Sequence, residues 1–326
     1  MRSVVADKEL WPISGTFTIS RGSKTAAEVV TVGISEGGIT GWGECVPYAR
    51  YGESPQSVLA QVDSIKAALE SSVDRLELQQ LLPAGAARNA VDCALWDLQA
   101  KQSGLRAWSL AGIEKPAPVI TAYTLSLDSP EAMQAAASEH SGRPLLKLKL
   151  AGEGDLARVS AVRAGAPDSK IIVDANEGWS LQQYHQMVPE LLKLNVAMIE
   201  QPMPAGEDAS LDGIERMIPL CADESCHDAS TLADLAGRYD VVNIKLDKTG
   251  GLTEALALRE RALDLGFDVM VGCMIATSLA MAPATLLTPG AVVVDLDGPL
   301  LLAGDRPHAL DFDNNSVAAP ESALWG

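Results

Sequence analysis

The sequence contains little histidine, few aromatic residues and few cysteines. Its 326 residues include four histidines and five cysteines, and aromatic residues make up 4% of the chain. The cysteines are odd in number and scattered through apolar contexts, which is typical of small buried side chains in a reducing compartment. The histidines give little support to histidine chemistry, since none has a second pair of metal ligands beside it; they are His140, His185, His227 and His308.

Long hydrophobic runs and an excess of positive charge are also missing. No uncharged apolar run approaches the roughly 18 residues that suggest a transmembrane helix, and residues 1–8 lack the apolar region of a signal peptide. The chain has 25 Lys and Arg against 43 Asp and Glu, a formal net charge of −18. This charge disfavours nucleic acid and anionic membranes as partners. We therefore expect a cytoplasmic protein that would need locally gathered cations to bind an anionic substrate.

The first third of the chain differs from the rest in its predicted pattern of strands and helices. Residues 1–48 have the pattern of β-structure, with a glycine-containing hairpin turn at 36–38. Helices are predicted over about 55–69 and 85–101, the first opened by Ser54 as N-cap. A proline-rich stretch around 114–118 follows. We expect an α+β domain over residues 1–115.

From residue 119 onward, short β-branched runs alternate with helical segments. Eight strands are predicted, near 119–124, 145–149, 170–174, 196–200, 219–223, 240–245, 268–272 and 292–296. Ser129, Ser180 and Thr253 are predicted helix N-caps. The alternation predicts a parallel sheet with right-handed crossovers, and eight strands fit a closed barrel better than an open sheet. We place this barrel at 116–300 and expect 301–326 to pack back on the N-terminal domain.

Carboxylates stand where three successive predicted strands end. Asp174, Glu200 and Asp223 close or follow the third, fourth and fifth strands. In a βα barrel these strand ends converge on one face, and three buried carboxylates would be very costly without a cation. Oxygen-only ligands select Mg²⁺ over Zn²⁺, with Mn²⁺ as a substitute. Any one of the three alone could be an ordinary loop acid or helix cap, but their coincidence favours a metal site.

Lysines flank the predicted metal ligands on both sides. Lys147 and Lys149 alternate with leucines and so share one face of the second strand, while Lys245 ends the sixth. Taken alone, residues 145–150 favour an ordinary amphipathic edge strand with the lysines facing solvent. A lysine acts as a base only when neutral, and a neighbouring ammonium and a divalent cation lower its pKa. With a base on each face, one lysine would remove an α-proton and the other would return it on the opposite side.

In combination, these motifs resemble the enolase superfamily, muconate-lactonizing subgroup. The resemblance is carried by Lys147-Leu148-Lys149, Val173-Asp174-Ala175-Asn176, Ile199-Glu200-Gln201-Pro202, Ala222-Asp223-Glu224-Ser225, Asn243-Ile244-Lys245 with Gly250-Gly251, and Gly41-Trp42-Gly43-Glu44. It implies an α/β fold, a modified (β/α)₇β TIM-like barrel under an α+β capping domain. It also implies one Mg²⁺ per subunit on the three carboxylates, Lys149 and Lys245 as catalytic bases, and Lys147 in support.

The eighth predicted strand is similar to that of dipeptide epimerases. Asp295 and Asp297, two residues apart, would suit the free ammonium of a dipeptide, although backbone N–H groups could also satisfy them. The resemblance implies an isomerase that inverts the α-carbon of the C-terminal residue of L-Ala-D/L-Glu through an ene-diolate, and links it to peptidoglycan recycling. Arg21 and Lys24 are candidates to bind the glutamate carboxylate, and Thr124 is a further candidate substrate contact.

Several functions stay open from the sequence. The same subgroup contains N-acylamino acid racemases, o-succinylbenzoate synthases and cycloisomerases, and a barrel of this kind could also bind an anion without catalysis. N-acylated substrates should fail if the two aspartates of the eighth strand bind a free amine. Absence of solvent-deuterium exchange into every dipeptide tried would instead favour a non-catalytic barrel. The sequence does not decide whether the chain forms a homo-oligomer.

Overall fold

The N-terminal region is built on an antiparallel sheet of three strands. The structure is a computed structural model that describes residues 2–326, apart from the side chain of Asn314. The strands are β1 (Ser3–Ile19), β2 (Gly22–Glu36) and β3 (Ile39–Cys45), in that order across the sheet. Gly37 and Gly38, at φ of 62° and 82°, form the turn between β2 and β3. Positive φ at both central positions is what a type I′ hairpin requires, so the predicted turn is confirmed.

Helices cover one face of this sheet. They are α1 (Pro55–Ser64), α2 (Lys66–Glu70), α3 (Arg75–Leu81), α4 (Ala86–Ser103) and α5 (Ala107–Leu110). Ser54 caps α1 as predicted, but the helix breaks at Ile65, so the predicted segment to residue 69 is two helices. Helix α4 lies against β3 so closely that a Cβ on Gly43 would come within 2.1 Å of Ala90 O. Only glycine allows this approach.

The rest of the chain forms the predicted barrel of eight parallel strands. They are β5 (Tyr123–Leu125), β6 (Leu145–Lys149), β7 (Lys170–Asp174), β8 (Val196–Glu200), β9 (Leu220–Ala222), β10 (Val241–Ile244), β11 (Asp268–Val271) and β12 (Val293–Val294). Each strand pairs with its sequence neighbour. The sheet curls so that Ala122 N, just before β5, donates to Val294 O at 2.8 Å. Of the seven connections between these strands, six contain an α-helix, and the β8–β9 connection contains a 3-10 helix, Asp208–Leu211. The fold is the modified (β/α)₇β barrel that the family resemblance implies.

Helices connect the barrel strands. They are α6 (Pro130–Glu139), α7 (Asp155–Gly165), α8 (Leu181–Lys193), α9 (Leu232–Leu235), α10 (Leu246–Thr249), α11 (Leu252–Asp264) and α12 (Ser278–Ala284). Ser129 and Ser180 cap α6 and α8 as predicted. The prediction that Thr253 caps α11 is wrong, because Gly251 is the N-cap and Thr253 lies in the first turn. Asp92 of α4 accepts a hydrogen bond from Thr253 N at 2.9 Å, so the capping carboxylate comes from another part of the chain.

The C-terminal segment contacts parts of the structure that are far from it in the sequence. Residues 119–124 do not form one strand, because β4 (Val119–Ile120) pairs antiparallel with β13 (Ser316–Val317) and only β5 joins the barrel. Beyond residue 300, Arg306 forms an ion pair with Glu44 of β3 at 2.6 Å. The C-terminal segment thus contacts both the barrel and the N-terminal sheet.

All five cysteines are free thiols, four of them buried and Cys273 half-buried, as expected for small core side chains. Within residues 2–326, no helix has the length and apolar character needed to cross a membrane.

Candidate active site

The three predicted metal ligands meet at the carboxyl ends of the barrel strands. Asp174 and Glu200 are the last residues of β7 and β8 and are register partners, and Asp223 follows β9 directly. One carboxylate oxygen from each lies within 4.8 Å of those from the other two, and all three side chains are buried. Parallel strands that end level with one another therefore gather three acids from distant parts of the sequence.

The chemistry of this cluster fits a divalent cation. Glu200 Oε2 is buried and accepts no hydrogen bond from any residue between 2 and 326, although Lys147 Nζ lies 2.6 Å away in a contact without hydrogen-bond geometry. Burial, reinforced by the Asp174 carboxylate, raises the pKa of Glu200 above its usual range. A hard divalent cation binds closely spaced, buried oxygen ligands of this kind, particularly where one oxygen accepts no hydrogen bond.

Two lysines flank the cluster on different carboxylates. Lys149 Nζ donates to Asp174 Oδ2 at 2.6 Å, and Lys245 Nζ donates to Asp223 Oδ2 at 2.6 Å. Their strands, β6 and β10, lie on either side of the three ligand strands in the sheet order. The substrate space between the lysines is therefore bordered by a different amine on each side.

Lys147 is a buried hub rather than a surface residue. Its side chain is 1% exposed, and Nζ lies 2.6 Å from Glu200, 2.8 Å from Asp295 and 3.4 Å from Asp174. Strand β6 is interior, with β5 on one side and β7 on the other, so the edge-strand alternative is excluded. An ammonium with three carboxylates around it thus connects the carboxylate cluster to Asp295, directly after β12.

The carboxylates dominate the protonation of the lysines. Burial lowers the pKa of Lys245, but the surrounding carboxylates, Asp223 foremost with Glu200 and Glu224, together outweigh it, and the pKa lies well above the usual lysine range. The pKa of Lys147 is also held high, because four carboxylates led by Asp295 and Glu200 together overcome burial. In the protein alone, neighbouring ammonium groups therefore do not bring the pKa values of Lys147 and Lys245 below the usual lysine range, because the surrounding carboxylates have the larger effect.

Lys149 and Lys245 line a cavity of about 460 Å³ between the barrel and the N-terminal region. All the predicted substrate-binding residues line it: Arg21, Lys24, Thr124, Asp295 and Asp297. Tyr48 and Tyr51 complete its wall from the N-terminal domain. A second groove of about 470 Å³, on the surface beside Trp96, contains none of these residues.

The two aspartates after β12 have different surroundings. Asp295 Oδ2 accepts from Lys147 Nζ at 2.8 Å, and its other oxygen is buried without a hydrogen-bond partner among the described residues. Asp297 accepts from Thr124 N at 2.6 Å. Burial, with Asp295 adding to it, raises the pKa of Asp297 above its usual range. The Thr124 N–H thus satisfies Asp297 in part, and Asp295 Oδ1 has no hydrogen-bond partner among the described residues. Both aspartates line the cavity.

The two cations at the β1–β2 hairpin are not equivalent: Arg21 lies in the turn, whereas Lys24 lies in β2, paired with Phe17 of β1. Arg21 lies 2.8 Å from Glu224 and 3.2 Å from Glu177, and its Nη2 also donates to the Tyr48 hydroxyl. Lys24 forms no ion pair with any described residue; its Nζ lies 5.7 Å from the centroid of the Tyr48 ring. Arg21 therefore fastens the loop to the barrel, and Lys24 keeps the freer positive charge.

Sequence reasoning missed three residues of the cluster. Lys248 is buried, and its Nζ donates to Asp223 Oδ1 at 2.7 Å and to Asn243 O at 2.9 Å. Asn243 Nδ2 donates to Glu200 Oε1 at 2.8 Å. The signal was present, because Asn243 shares a strand face with Lys245, two residues on, and Lys248 follows one helical turn later. The third, Glu224, is paired with Arg21.

Comparison with known proteins gives consistent results. Residues 1–112 match the family described as mandelate racemase / muconate lactonizing enzyme, N-terminal domain, and residues 131–323 match the enolase C-terminal domain-like family. The chain is 50% identical over 319 residues to an L-Ala-D/L-Glu epimerase of Escherichia coli, covering 97% of this chain and 99% of the relative. It is 48% identical over 301 residues to an N-acetyl-D-glutamate racemase of a Pseudoalteromonas species, covering 91% and 95%.

A solved structure is similar over its whole length. It is a crystal structure of an enolase family member from Agrobacterium tumefaciens with homology to dipeptide epimerases. It contains sodium and L-Ala-L-Glu with an ordered loop, and it is 51% identical to this chain. The TM-score is 0.98, with 100% of both chains covered.

Proposed function

The chain belongs to the mandelate racemase / muconate lactonizing enzyme family of the enolase superfamily, and on that basis we propose that it is a dipeptide epimerase. The reaction is inversion of the α-carbon of the C-terminal residue of L-Ala-D/L-Glu by two-base 1,1-proton transfer. One observation carries this proposal: Lys149 and Lys245 approach one carboxylate cluster from flanking strands, in a cavity that also contains Asp295 and Asp297.

We propose Mg²⁺ as the cofactor, with Asp174, Glu200 and Asp223 as ligands and Mn²⁺ as a substitute. The support is an oxygen-only donor set and the buried Glu200 oxygen without a hydrogen bond. When bound, the cation would stabilise the negative charge that develops on the substrate carboxylate and offset the acids that hold the lysine pKa values high.

The protein residues then divide the proton transfer between them. For one epimer, Lys149 removes the α-proton and Lys245 delivers a proton to the opposite face of the α-carbon; for the other epimer the two lysines exchange roles. Lys147 keeps its ammonium against Glu200, Asp174 and Asp295, which places a fixed positive charge beside the reacting carboxylate. Lys149 and Lys245 can act on the same α-carbon only if the cavity holds that carbon between them.

The two ends of the dipeptide are assigned to opposite walls. The ammonium is proposed to lie at Asp295 and Asp297, since a buried carboxylate pair with an oxygen left unpaired favours a cation. Thr124 supports this end by donating its N–H to Asp297. The glutamate side chain is assigned to the β1–β2 hairpin, with Lys24 of β2 as its partner because Arg21 is already engaged by Glu224 and Glu177.

A racemase acting on N-acetylated glutamate is the second candidate. The observation that favours it is the 48% identity to an N-acetyl-D-glutamate racemase over most of both chains. The test is kcat/KM for L-Ala-L-Glu and for N-acetyl-D-glutamate with the same Mg²⁺-loaded enzyme. The dipeptide should be the better substrate by a wide margin. An equal or better N-acetyl substrate would replace the dipeptide assignment.

We further propose a cytoplasmic protein that reuses peptidoglycan peptides, because its substrate combines L-alanine with D- or L-glutamate. The support for this context is the family resemblance. Light scattering after size-exclusion chromatography would determine whether the chain forms a homo-oligomer.

A further inference from the structure

Helix α4 has a polar face that the proposed function leaves without a role. Arg88, Asn89 and Asp92 lie on this face, in the first two turns of the helix, and all three are buried. Buried polar groups are costly unless they are hydrogen-bonded, so their partners indicate what the face does. All three contact the barrel segment 247–253, which begins two residues after Lys245.

The contact nearest to Lys245 is made by an amide and a carboxylate. Asn89 Nδ2 donates to Asp247 Oδ1 at 2.8 Å, and Val46 N donates to the same oxygen at 3.0 Å. Two donors of the N-terminal domain therefore hold one buried acid of helix α10, for which Lys245 is the N-cap residue.

The far end of the segment is held by Arg88 and Asp92. Arg88 donates to Thr249 O at 2.7 Å and to Gly250 O at 3.1 Å. Asp92 accepts from Thr253 N at 2.9 Å and from its hydroxyl at 2.6 Å. The backbone on both sides of the α10–α11 turn is thus fixed by one helix of the other domain.

The glycine pair in this turn makes the contact possible. Gly250 and Gly251 have φ of +76° and +113°, values that L side chains rarely adopt. A Cβ on Gly250 would lie 2.5 Å from Arg88 Nε, and one on Gly251 would lie 2.5 Å from Asp92 Cβ. The turn is built for close approach by this face of α4.

The segment after Lys149 is held differently. Leu150 N donates to Asp174 O at 2.9 Å, and Ala151 N donates to Asp155 Oδ1 at 3.1 Å. These partners belong to the barrel. The two base lysines are therefore supported by different parts of the protein.

We propose that Arg88, Asn89 and Asp92, which we term the α4 clamp, are positioning residues for Lys245. The inference rests on the proposed two-base reaction. The clamp holds the start of α10 through Asn89 and the α10–α11 turn through Arg88 and Asp92, and hence sets where Lys245 Nζ lies relative to the α-carbon. Loosening it displaces one base and leaves the other in place, so the two half-reactions respond unequally.

The experiment measures α-proton exchange with D₂O for each epimer of Ala-Glu separately, using the Mg²⁺-loaded full chain. Lys245→Ala serves as the reference, because the epimer that stops exchanging in that variant is the one Lys245 deprotonates. Asn89→Ala and Arg88→Lys are the test variants. Asp97→Asn is the matched control: Asp97 is a buried acid of the same helix whose partners include Trp42 N and Gly326 N.

In both test variants, exchange of the Lys245-dependent epimer should fall by about tenfold or more relative to the other epimer, since small misplacement of a catalytic group is costly. The control should leave the ratio of the two exchange rates within roughly twofold of wild type on the same reasoning. A fall of both rates together in the test variants would overturn the clamp proposal, because that is what general destabilisation does. No exchange of either epimer in the wild type would instead remove the proposed function itself.

Discussion

The Lys147 ammonium and the Asp295 carboxylate form a buried ion pair, with Nζ and Oδ2 2.8 Å apart. The same ammonium lies 2.6 Å from Glu200, so one lysine connects the proposed metal ligands to the proposed ammonium site. Breaking a buried pair from one side typically costs about 3–5 kcal/mol, because it leaves the partner charge uncompensated. The proposed ammonium site and the proposed metal ligands are therefore electrostatically coupled through Lys147.

The first prediction concerns the carboxylate cluster. Asp174→Asn, Glu200→Gln and Asp223→Asn should each lower kcat by on the order of 10²-fold or more, because the cluster is proposed to hold the main charge-stabilising group. Far-UV circular dichroism should stay native. Titration calorimetry should show weakened Mg²⁺ binding in each. Glu153→Gln, at an exposed carboxylate, is the control, and near-wild-type turnover in any of the three would remove that residue from the metal site.

The second prediction separates the two lysines. Lys149→Ala and Lys245→Ala should both abolish epimerisation, yet each should retain α-proton exchange with solvent from one epimer only. The reason is that each lysine borders the substrate from a different strand. Mass spectrometry of each purified epimer after incubation in D₂O measures this. Interconversion of the epimers by either single variant would contradict a two-base mechanism.

How far the sequence predicted this site depends on backbone direction. The positions of Asp174, Glu200 and Asp223 could be predicted because each ends an apolar run, and parallel strands in a barrel end together. Lys248 was missed because it lies beyond its strand, on a helical turn whose direction the strand pattern does not specify. The ion pairs of Arg21 with Glu177 and Glu224 could not be predicted, since they depend on how one domain sits over the other.

Two local predictions about the fold, the Thr253 cap and the bounds of the first barrel strand, failed for the same physical reason. Thr253 has the residue type of an N-cap, but Asp92 of a distant helix supplies the carboxylate and frees Thr253 to lie inside the turn. Val119 was assigned to the first barrel strand, yet it pairs with Val317 near the C-terminus. In both cases a tertiary partner, absent from the local sequence, overrode the local preference.

The third prediction concerns the amine. Asp297→Asn should raise KM for L-Ala-L-Glu by on the order of 10²-fold, as expected when one side of a desolvated charge pair is lost. The Thr124 N–H keeps an acceptor in this variant, so the backbone should not move. Activity toward N-acetylglutamate, which has no ammonium, is the internal comparison and should change little. An unchanged KM for the dipeptide would place the ammonium elsewhere.

The fourth prediction distinguishes Arg21 from Lys24. Lys24→Met should raise KM for L-Ala-L-Glu but leave L-Ala-L-Leu almost unaffected, because only glutamate presents a carboxylate to Lys24. Arg21→Met should impair both dipeptides, since Arg21 fastens the loop to Glu224 and Glu177. Steady-state kinetics with both substrates provides the comparison. Equal sensitivity of the two substrates to Lys24→Met would show that this lysine does not read the side chain.

The fifth prediction concerns stability and pH. Burial raises the pKa of Asp247 to about 7 from 3.8, so the folded state binds its proton more tightly than the unfolded chain does. The stability from this group is complete below about pH 4 and is lost as the pH rises through about 7, at roughly 1.4 kcal/mol per pH unit in between. Urea unfolding at pH 5 and pH 7 should therefore show a smaller loss for Asp247→Asn than for wild type. Identical losses would mean that Asp247 is already ionised at pH 5.

The most direct test of the account is deuterium incorporation by the wild-type enzyme. L-Ala-L-Glu is incubated in D₂O with the Mg²⁺-loaded protein, and proton NMR and mass spectrometry follow the glutamate α-position. We predict that L-Ala-D-Glu forms carrying one deuterium at that carbon, while the alanine α-proton is retained. Recovery of L-Ala-L-Glu without deuterium and without inversion would contradict the central claim.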